Sequence, residues 1–159
     1  MILLNFATPI KGTSSVDQHV GWITIDSLQM GVGRSISTSG KGEDRDTSNP
    51  SFSEITLSKP TDIASADLFM QAICGKSLGV AEIHFIQTGG ANKNNQVFLT
   101  LKLTDAIVSS YSASSGGERP SETFSLNFTQ ISYQYNAFSG DTVTTGTPKN
   151  WNLLENKTF

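Results

Sequence analysis

The stretch Gln96–Thr104 alternates without a break, with Val97, Leu99, Leu101 and Leu103 on one parity and Thr100, Lys102 and Thr104 on the other. Successive side chains of a strand point to opposite faces, so this period commits the segment to a strand with one buried and one wet side. The same period recurs along the chain. Ile2–Ala7 reads as a short strand. Phe52–Lys59 sets Ile55 and Leu57 against Glu54, Thr56 and Ser58 before Pro60 ends it, and Val80–Thr88 alternates around Ala81, Ile83 and Phe85. Composition agrees: 21 Ser and 17 Thr, with 14 Gly and 10 Asn, stand where a helical protein would carry helix formers. About seven strands with turn signals roughly every 8–15 residues predict a mainly β protein, a two-sheet antiparallel β-barrel or sandwich. At 159 residues the whole chain, 1–159, is expected to be one domain.

Two segments break phase. In Gly21–Val32 the apolar parity passes from Ile23 and Ile25 to Leu28, Met30 and Val32, and between Phe124 and Tyr135 it passes from Phe124, Leu126 and Phe128 to Ile131, Tyr133 and Tyr135. A one-residue slip of this kind marks a bulge or a strand shared by two sheets. Asp105–Ser112 is expected to continue or bend the preceding strand through Ile107, Val108 and Tyr111. One helix is expected over Asp62–Cys74, with Ser65 as its N-cap, Asp67 in the first turn and Gly75 closing it; Leu68, Phe69, Ala72 and Ile73 form the stripe that packs on a sheet. From Gly33 to Ser51 apolar residues nearly vanish, which predicts a long exposed contact loop, mobile unless a partner orders it. Gly140–Pro148 reads as a further loop.

The residues argue against several chemistries. A net charge of −3 leaves no basic footprint for nucleic acid. Cys74 is alone, so it can form neither an internal disulfide nor a thiolate cluster, and at the end of the helix it reads as a small buried packing residue. No apolar run approaches the ~18 residues of a membrane span, and Met1–Phe6 lacks the basic start and longer apolar stretch of a secretory signal. His19 and His84 stand far apart in sequence, and His84 alternates with Ile83 and Phe85 as a face-lining residue. Glu43, Asp44 and Asp46, interrupted by Arg45, lack calcium-loop spacing. Gly31–Ile36 has no following helix or P-loop lysine, and no Gly-x-Ser-x-Gly elbow occurs. Neither a catalytic group nor a cofactor or metal site is expected. Trp22, Phe124, Phe128, Tyr133, Tyr135 and Trp151 fit core or subunit interface better than a sugar-binding platform.

Three stretches in this order resemble the haemolysin-coregulated protein (Hcp) family, the tube-forming protein of bacterial type VI secretion. Gly21–Arg34 is similar to that family's strand ending in an apolar, Gly, apolar turn. Lys59, Asp62, Ser65 and Leu68 resemble its Lys-x-x-Asp-x-x-Ser-x-x-Leu opening of the single helix, with Ala66 where many members carry Pro. Ser115-Gly116-Gly117-Glu118-Arg119 before Leu126-Asn127-Phe128 resembles its Ser-Gly-Gly-acid-Arg turn and following strand, and Trp151-Asn152-Leu153 closes the pattern.

The resemblance covers nearly the whole chain. It implies a two-sheet β-barrel with one helix, and copies that assemble as hexameric rings, stack into a hollow tube inside a contractile sheath behind a spike protein, and carry small effectors in the lumen. It implies assembly in the bacterial cytoplasm and release by the secretion machine without a signal peptide. The Gly33–Ser51 stretch takes the place of a protruding loop, making Arg34, Lys41, Glu43, Asp44, Arg45 and Asp46 the expected stacking contacts, with Gly116, Gly117, Glu118 and Arg119 as the motif turn and Gln29 on the lumen. A phage-type tail-tube protein and a monomeric carbohydrate-binding β-sandwich are the competing readings. An enzyme ranks last, since no acid, base or nucleophile converges.

Overall fold

The computed structural model describes residues 1–159. Its strands are β1 (Ile2–Phe6), β2 (Ile23–Ile25), β3 (Ser27–Gln29), β4 (Val32–Gly33), β5 (Ser51–Phe52) and β6 (Ile55–Pro60), then, after the helix α1 (Ser65–Cys74), β7 (Ala81–Gly89), β8 (Asn94–Thr104), β9 (Ile107–Ser114), β10 (Ser121–Asn127), β11 (Gln130–Tyr135), β12 (Ala137–Ser139), β13 (Thr142–Thr144), β14 (Lys149–Asn152) and β15 (Lys157–Thr158). Seven of them form one sheet in the order β15, β14, β11, β8, β7, β1, β2, and four form a second in the order β3, β6, β10, β9. Every pairing is antiparallel.

The phase breaks mark where the chain changes sheets. β2 passes into β3 through Asp26, and β10 passes into β11 through Phe128 and Thr129. Both sheets turn their inner faces to one core, so a strand that crosses from one to the other must exchange its buried parity. Ile23 and Ile25 enter the core from the first sheet and Ile55, Leu57, Phe124 and Leu126 from the second. β8 likewise ends at a turn on Asp105, at φ 57°, and β9 belongs to the other sheet rather than continuing β8. The sheets do not close on one another: β15 and β2 remain the edges of the first, β3 and β9 those of the second. Of the two forms the sequence leaves open, barrel or sandwich, the fold is the sandwich.

The helix forms where expected, and Gly75, at φ 64°, supplies the left-handed residue that ends it while its N–H bonds the Gln71 carbonyl. Its other end differs. Ala64, in helical conformation, holds the cap position, and Ser65 is already inside the first turn. Asp62 turns the chain instead, its Oδ1 accepting the Ala64 N–H at 2.9 Å. The apolar stripe is also less buried than its spacing predicts: Leu68 is enclosed and Ala72 half-buried, whereas Phe69 and Ile73 are exposed. Cys74 is exposed as well, not packed.

The polar stretch from Gly33 to Ser51 is a protruding hairpin rather than an unstructured loop. β4 and β5 pair at its root, Ile36 bridges Thr47, and N–H groups of Ser37 and Ser48 bond the carbonyls of Asp46 and Ser35. A short 3-10 turn at Gly42–Asp44 makes its tip. The Gly140–Pro148 stretch likewise contributes a strand, β13, which pairs with β12. Both segments use backbone pairing with hardly any buried side chain, a form of order that hydrophobic period cannot announce.

Candidate functional site

The four-stranded sheet has one apolar and one hydroxyl face. Its register lines up Leu28, Leu57, Phe124 and Tyr111 across the inner side. The two flanking rows point outward: Ser27, Ser58, Thr123 and Ser112 in one, Gln29, Thr56, Ser125 and Ser110 in the other. The hydroxyls satisfy each other across strands, Ser27 Oγ to Ser58 Oγ at 2.5 Å and Thr56 Oγ1 to Ser125 Oγ at 3.2 Å. One carboxylate joins this face near the hairpin end. Glu54 Oε2 accepts the Ser109 hydroxyl at 2.7 Å, and its Oε1 accepts the Asn127 amide at 3.4 Å. Beyond that the face is neutral, and it is flanked on both sides by edge strands whose outer N–H and C=O groups have no strand partner.

A buried ionic cluster fixes this sheet to the helix. Lys59 and Glu122 fall on the apolar parity of β6 and β10, are paired in register, and have fully buried side chains that form a short ion pair. Lys59 Nζ also donates to Asp62 Oδ1 at 2.7 Å, to Ser65 Oγ at 3.2 Å and to the Pro60 carbonyl at 3.3 Å. Ser65 is saturated: its hydroxyl accepts the Asp62 N–H at 2.8 Å and donates to Glu122 Oε1 at 2.8 Å. Tyr111 donates to Glu122 Oε2 at 2.5 Å; burial, reinforced by that bond to a carboxylate, pushes its phenol up to about 12. The Lys-x-x-Asp-x-x-Ser pattern is thus the joint between β6 and α1. A charged residue on the apolar parity of each of two strands is the sequence signal that could have paired Lys59 with Glu122.

The two histidines meet, contrary to their separation in sequence. His19 Nε2 and His84 Nδ1 are 2.7 Å apart, His84 Nε2 lies 3.0 Å from Glu82 Oε1, and Trp22 packs its ring against both imidazoles, with centroids 4.6 and 4.8 Å away. Glu82 is held below its ordinary carboxylate value, first by the bond from His84, against a smaller opposing effect of burial, with Lys102 at 3.6 Å adding to the lowering. No three His, Cys, Asp or Glu side chains gather as a metal-holding group.

The residues expected to carry assembly lie at three places. Gln29 sits on β3 in the outward hydroxyl row. Arg34, Lys41, Glu43, Asp44, Arg45 and Asp46 are all exposed on the hairpin, where Arg45 Nε donates to the Ser37 carbonyl at 2.8 Å. Gly116, Gly117, Glu118 and Arg119 form the turn from β9 to β10, with Ser115 Oγ donating to the Glu118 carbonyl at 2.6 Å and Arg119 Nη1 to the Thr61 carbonyl at 3.4 Å. The ladder sets these two features at opposite ends of the sheet, since Ile55 at the hairpin end pairs with Leu126 while Pro60 pairs with Ser121 beside the turn. Of the aromatics, Phe124 and Phe128 are core, Trp22 and Trp151 are half-buried, and Tyr133 and Tyr135 are exposed.

Fold and surface together describe a β-sandwich with two free sheet edges and a projecting hairpin. The family model described as type VI secretion system effector, Hcp, matches residues 4–135. Protein hcp1 of Pseudomonas aeruginosa is 32% identical over 107 residues, 65% of this chain and 65% of that protein, so the match spans just under two thirds of the curated relative's length. A solved type six secretion system protein superposes at a TM-score of 0.88 with 24% identity, covering 99% of this chain and 98% of that one. Hcp1 from Salmonella typhimurium superposes at 0.76 with 24% identity, covering 99% and 97%. At these identities the structural likeness is one of fold. The chain belongs to the type VI secretion system Hcp family.

Proposed function

We propose that this chain is the tube subunit of a type VI secretion system, joining head to tail into hexameric rings that stack into a hollow, ejected tube whose lumen holds small effector proteins. The observation that carries this reading is the hydroxyl-paved face of the four-stranded sheet lying between two free edges. Along the order β3, β6, β10, β9 each neighbour is antiparallel, so β9 of one copy set beside β3 of the next continues the same alternation. Such a heterologous contact closes into a ring when its rotation divides the circle, and closure removes every exposed edge of that sheet.

The closed sheet then presents its Ser, Thr and Gln rows, Gln29 among them, to the lumen. Neutral hydroxyls keep such a wall wet and without strong charge, suited to cargo that must later leave. The hairpin with Arg34, Lys41, Glu43, Asp44, Arg45 and Asp46 projects at one rim and the Gly116–Arg119 turn at the other, so each ring meets the next through unlike surfaces. A contractile sheath and a spike protein are the outer partners, with assembly in the bacterial cytoplasm before ejection.

Deleting Gly40–Thr47 tests the division of labour. Light scattering is expected to give the same ring mass for both proteins, and sedimentation is expected to find long stacks only with the intact hairpin. Unchanged tubes would remove the hairpin from stacking, and a monomeric mass for the native protein would overturn the tube reading itself.

A further inference from the structure

Two apolar surfaces are left uncovered, one convex and one concave. The convex one is α1. It runs beside the free edge strand β9, where Phe69 meets Tyr111 edge to face with centroids 5.9 Å apart, and it leaves Phe69, Met70 and Ile73 respectively 51%, 52% and 64% exposed. Apolar side chains both toward and away from the core are unusual for a surface helix and mark a face that something covers. Between them Gln71 Oε1 is enclosed without a hydrogen-bond donor.

The concave surface lies where β3 runs out into the hairpin. Met30, Val32 and Phe52, together with Tyr133 and Trp151, line an apolar groove of about 310 Å³. Two of its lining residues also carry an enclosed polar atom without a partner, the Trp151 indole N–H and Asn150 Oδ1. An apolar groove of this kind suits apolar side chains brought by a second surface.

Topology relates the two. The knob accompanies β9 and the groove continues from β3, the opposite edges of one sheet. Their ends also correspond. The segment leaving α1 bonds back through the Leu78 N–H to the Ala106 carbonyl, beside Ile107, and Ile107 pairs with Asn127 at the hairpin end of the sheet. The last turn of α1 therefore lies toward the end of β9 at which a copy joined through β3 would present its Met30 and Val32. Charge agrees: Asp67 is the only charged residue of α1, and Lys149 the only charged residue lining the groove.

We infer that the Phe69, Met70 and Ile73 face of one copy packs into the Met30, Val32, Phe52 and Trp151 groove of the next copy of this chain. The inference rests on the head-to-tail ring reading and adds the side-chain contact that holds the junction. It also gives the solitary cysteine a use as a probe, because Cys74 at the end of α1 is exposed and would lie at this junction.

Two variants test it. Met70→Ser with Ile73→Ser changes exposed positions and leaves the Phe69–Tyr111 contact in place, so the unfolding midpoint of the dissociated subunit is expected to stay put while the subunit concentration for half-assembly rises at least tenfold. Val32→Cys, treated with a short bismaleimide, is expected to give a covalent ladder through Cys74 that ends at the closed ring, and Val32→Cys with Cys74→Ser is expected to give none. Rings that persist in the double serine variant, or rings of Val32→Cys that yield no ladder, overturn this docking and leave the ring reading intact. A native chain that forms no rings overturns both.

Discussion

Lys59→Met is the perturbation that most sharply probes what joins the helix to the sheet. Lys59 Nζ is the cation paired with both Glu122 and Asp62, and both Lys59 and Glu122 side chains are fully buried. Methionine fills similar space, so the main loss is electrostatic. Removing one partner of a buried ion pair leaves an uncompensated charge and costs about 3–5 kcal/mol. For a chain of this size, at roughly 2–4 °C per kcal/mol, the expected fall in Tm is about 6–20 °C. Urea denaturation at pH 7 measures the free-energy loss and a thermal melt the fall in Tm, both at a fixed subunit concentration so that any assembly contributes equally.

Lys59→Met combined with Glu122→Leu should cost less than the two single changes added together, by about 2 kcal/mol or more, because the second removes the stranded carboxylate. A Lys59→Met cost below about 1 kcal/mol, or additive single costs, would refute the reasoning.

Gly12 lies so close to the opposite chain that a Cβ would stand 2.2 Å from the Trp22 carbonyl oxygen, so Gly12→Ala must move backbone and is expected to lose at least about 2 kcal/mol in thermal unfolding. Glu82 has a lowered pKa, so its contribution to stability is present above the ordinary value of 4.5 and is lost as pH falls through the folded value. Urea midpoints measured downward from pH 6 should therefore fall less steeply for Glu82→Gln than for the native chain, and identical slopes would contradict the His84 bond as the cause.

The fold was legible in the sequence wherever burial has a period. Leu101 and Leu103 occupy the core as their alternation requires, and the parity slips at Asp26 and at Phe128 mark real passages between sheets. Closure was not legible, because whether a sheet's edges meet depends on twist and strand length rather than on which residues alternate. The hairpin and the β12–β13 pair escaped for the reason given by their burial: backbone pairing alone holds them.

Ser65 shows a different limit. Its type and position fit a helix cap, yet Glu122, 57 residues away, draws its hydroxyl into the ion cluster and Asp62 takes over the turn. Likewise Phe69 and Ile73 have the spacing of a core stripe, and spacing cannot distinguish a face buried in the subunit from one left for another copy. His19 and His84 lie on segments whose approach is set by the β1 to β7 pairing and the loop after β1, a tertiary matter that no local motif encodes.

The most direct test of the tube reading is single-particle averaging of the purified protein in negative stain. The expected particle is a ring of six subunits around an open hole, with the Ser, Thr and Gln rows of the four-stranded sheet on its inner wall. Solid particles of single-subunit size at high concentration would contradict it, and would make the free edges and the hydroxyl face features in need of another partner.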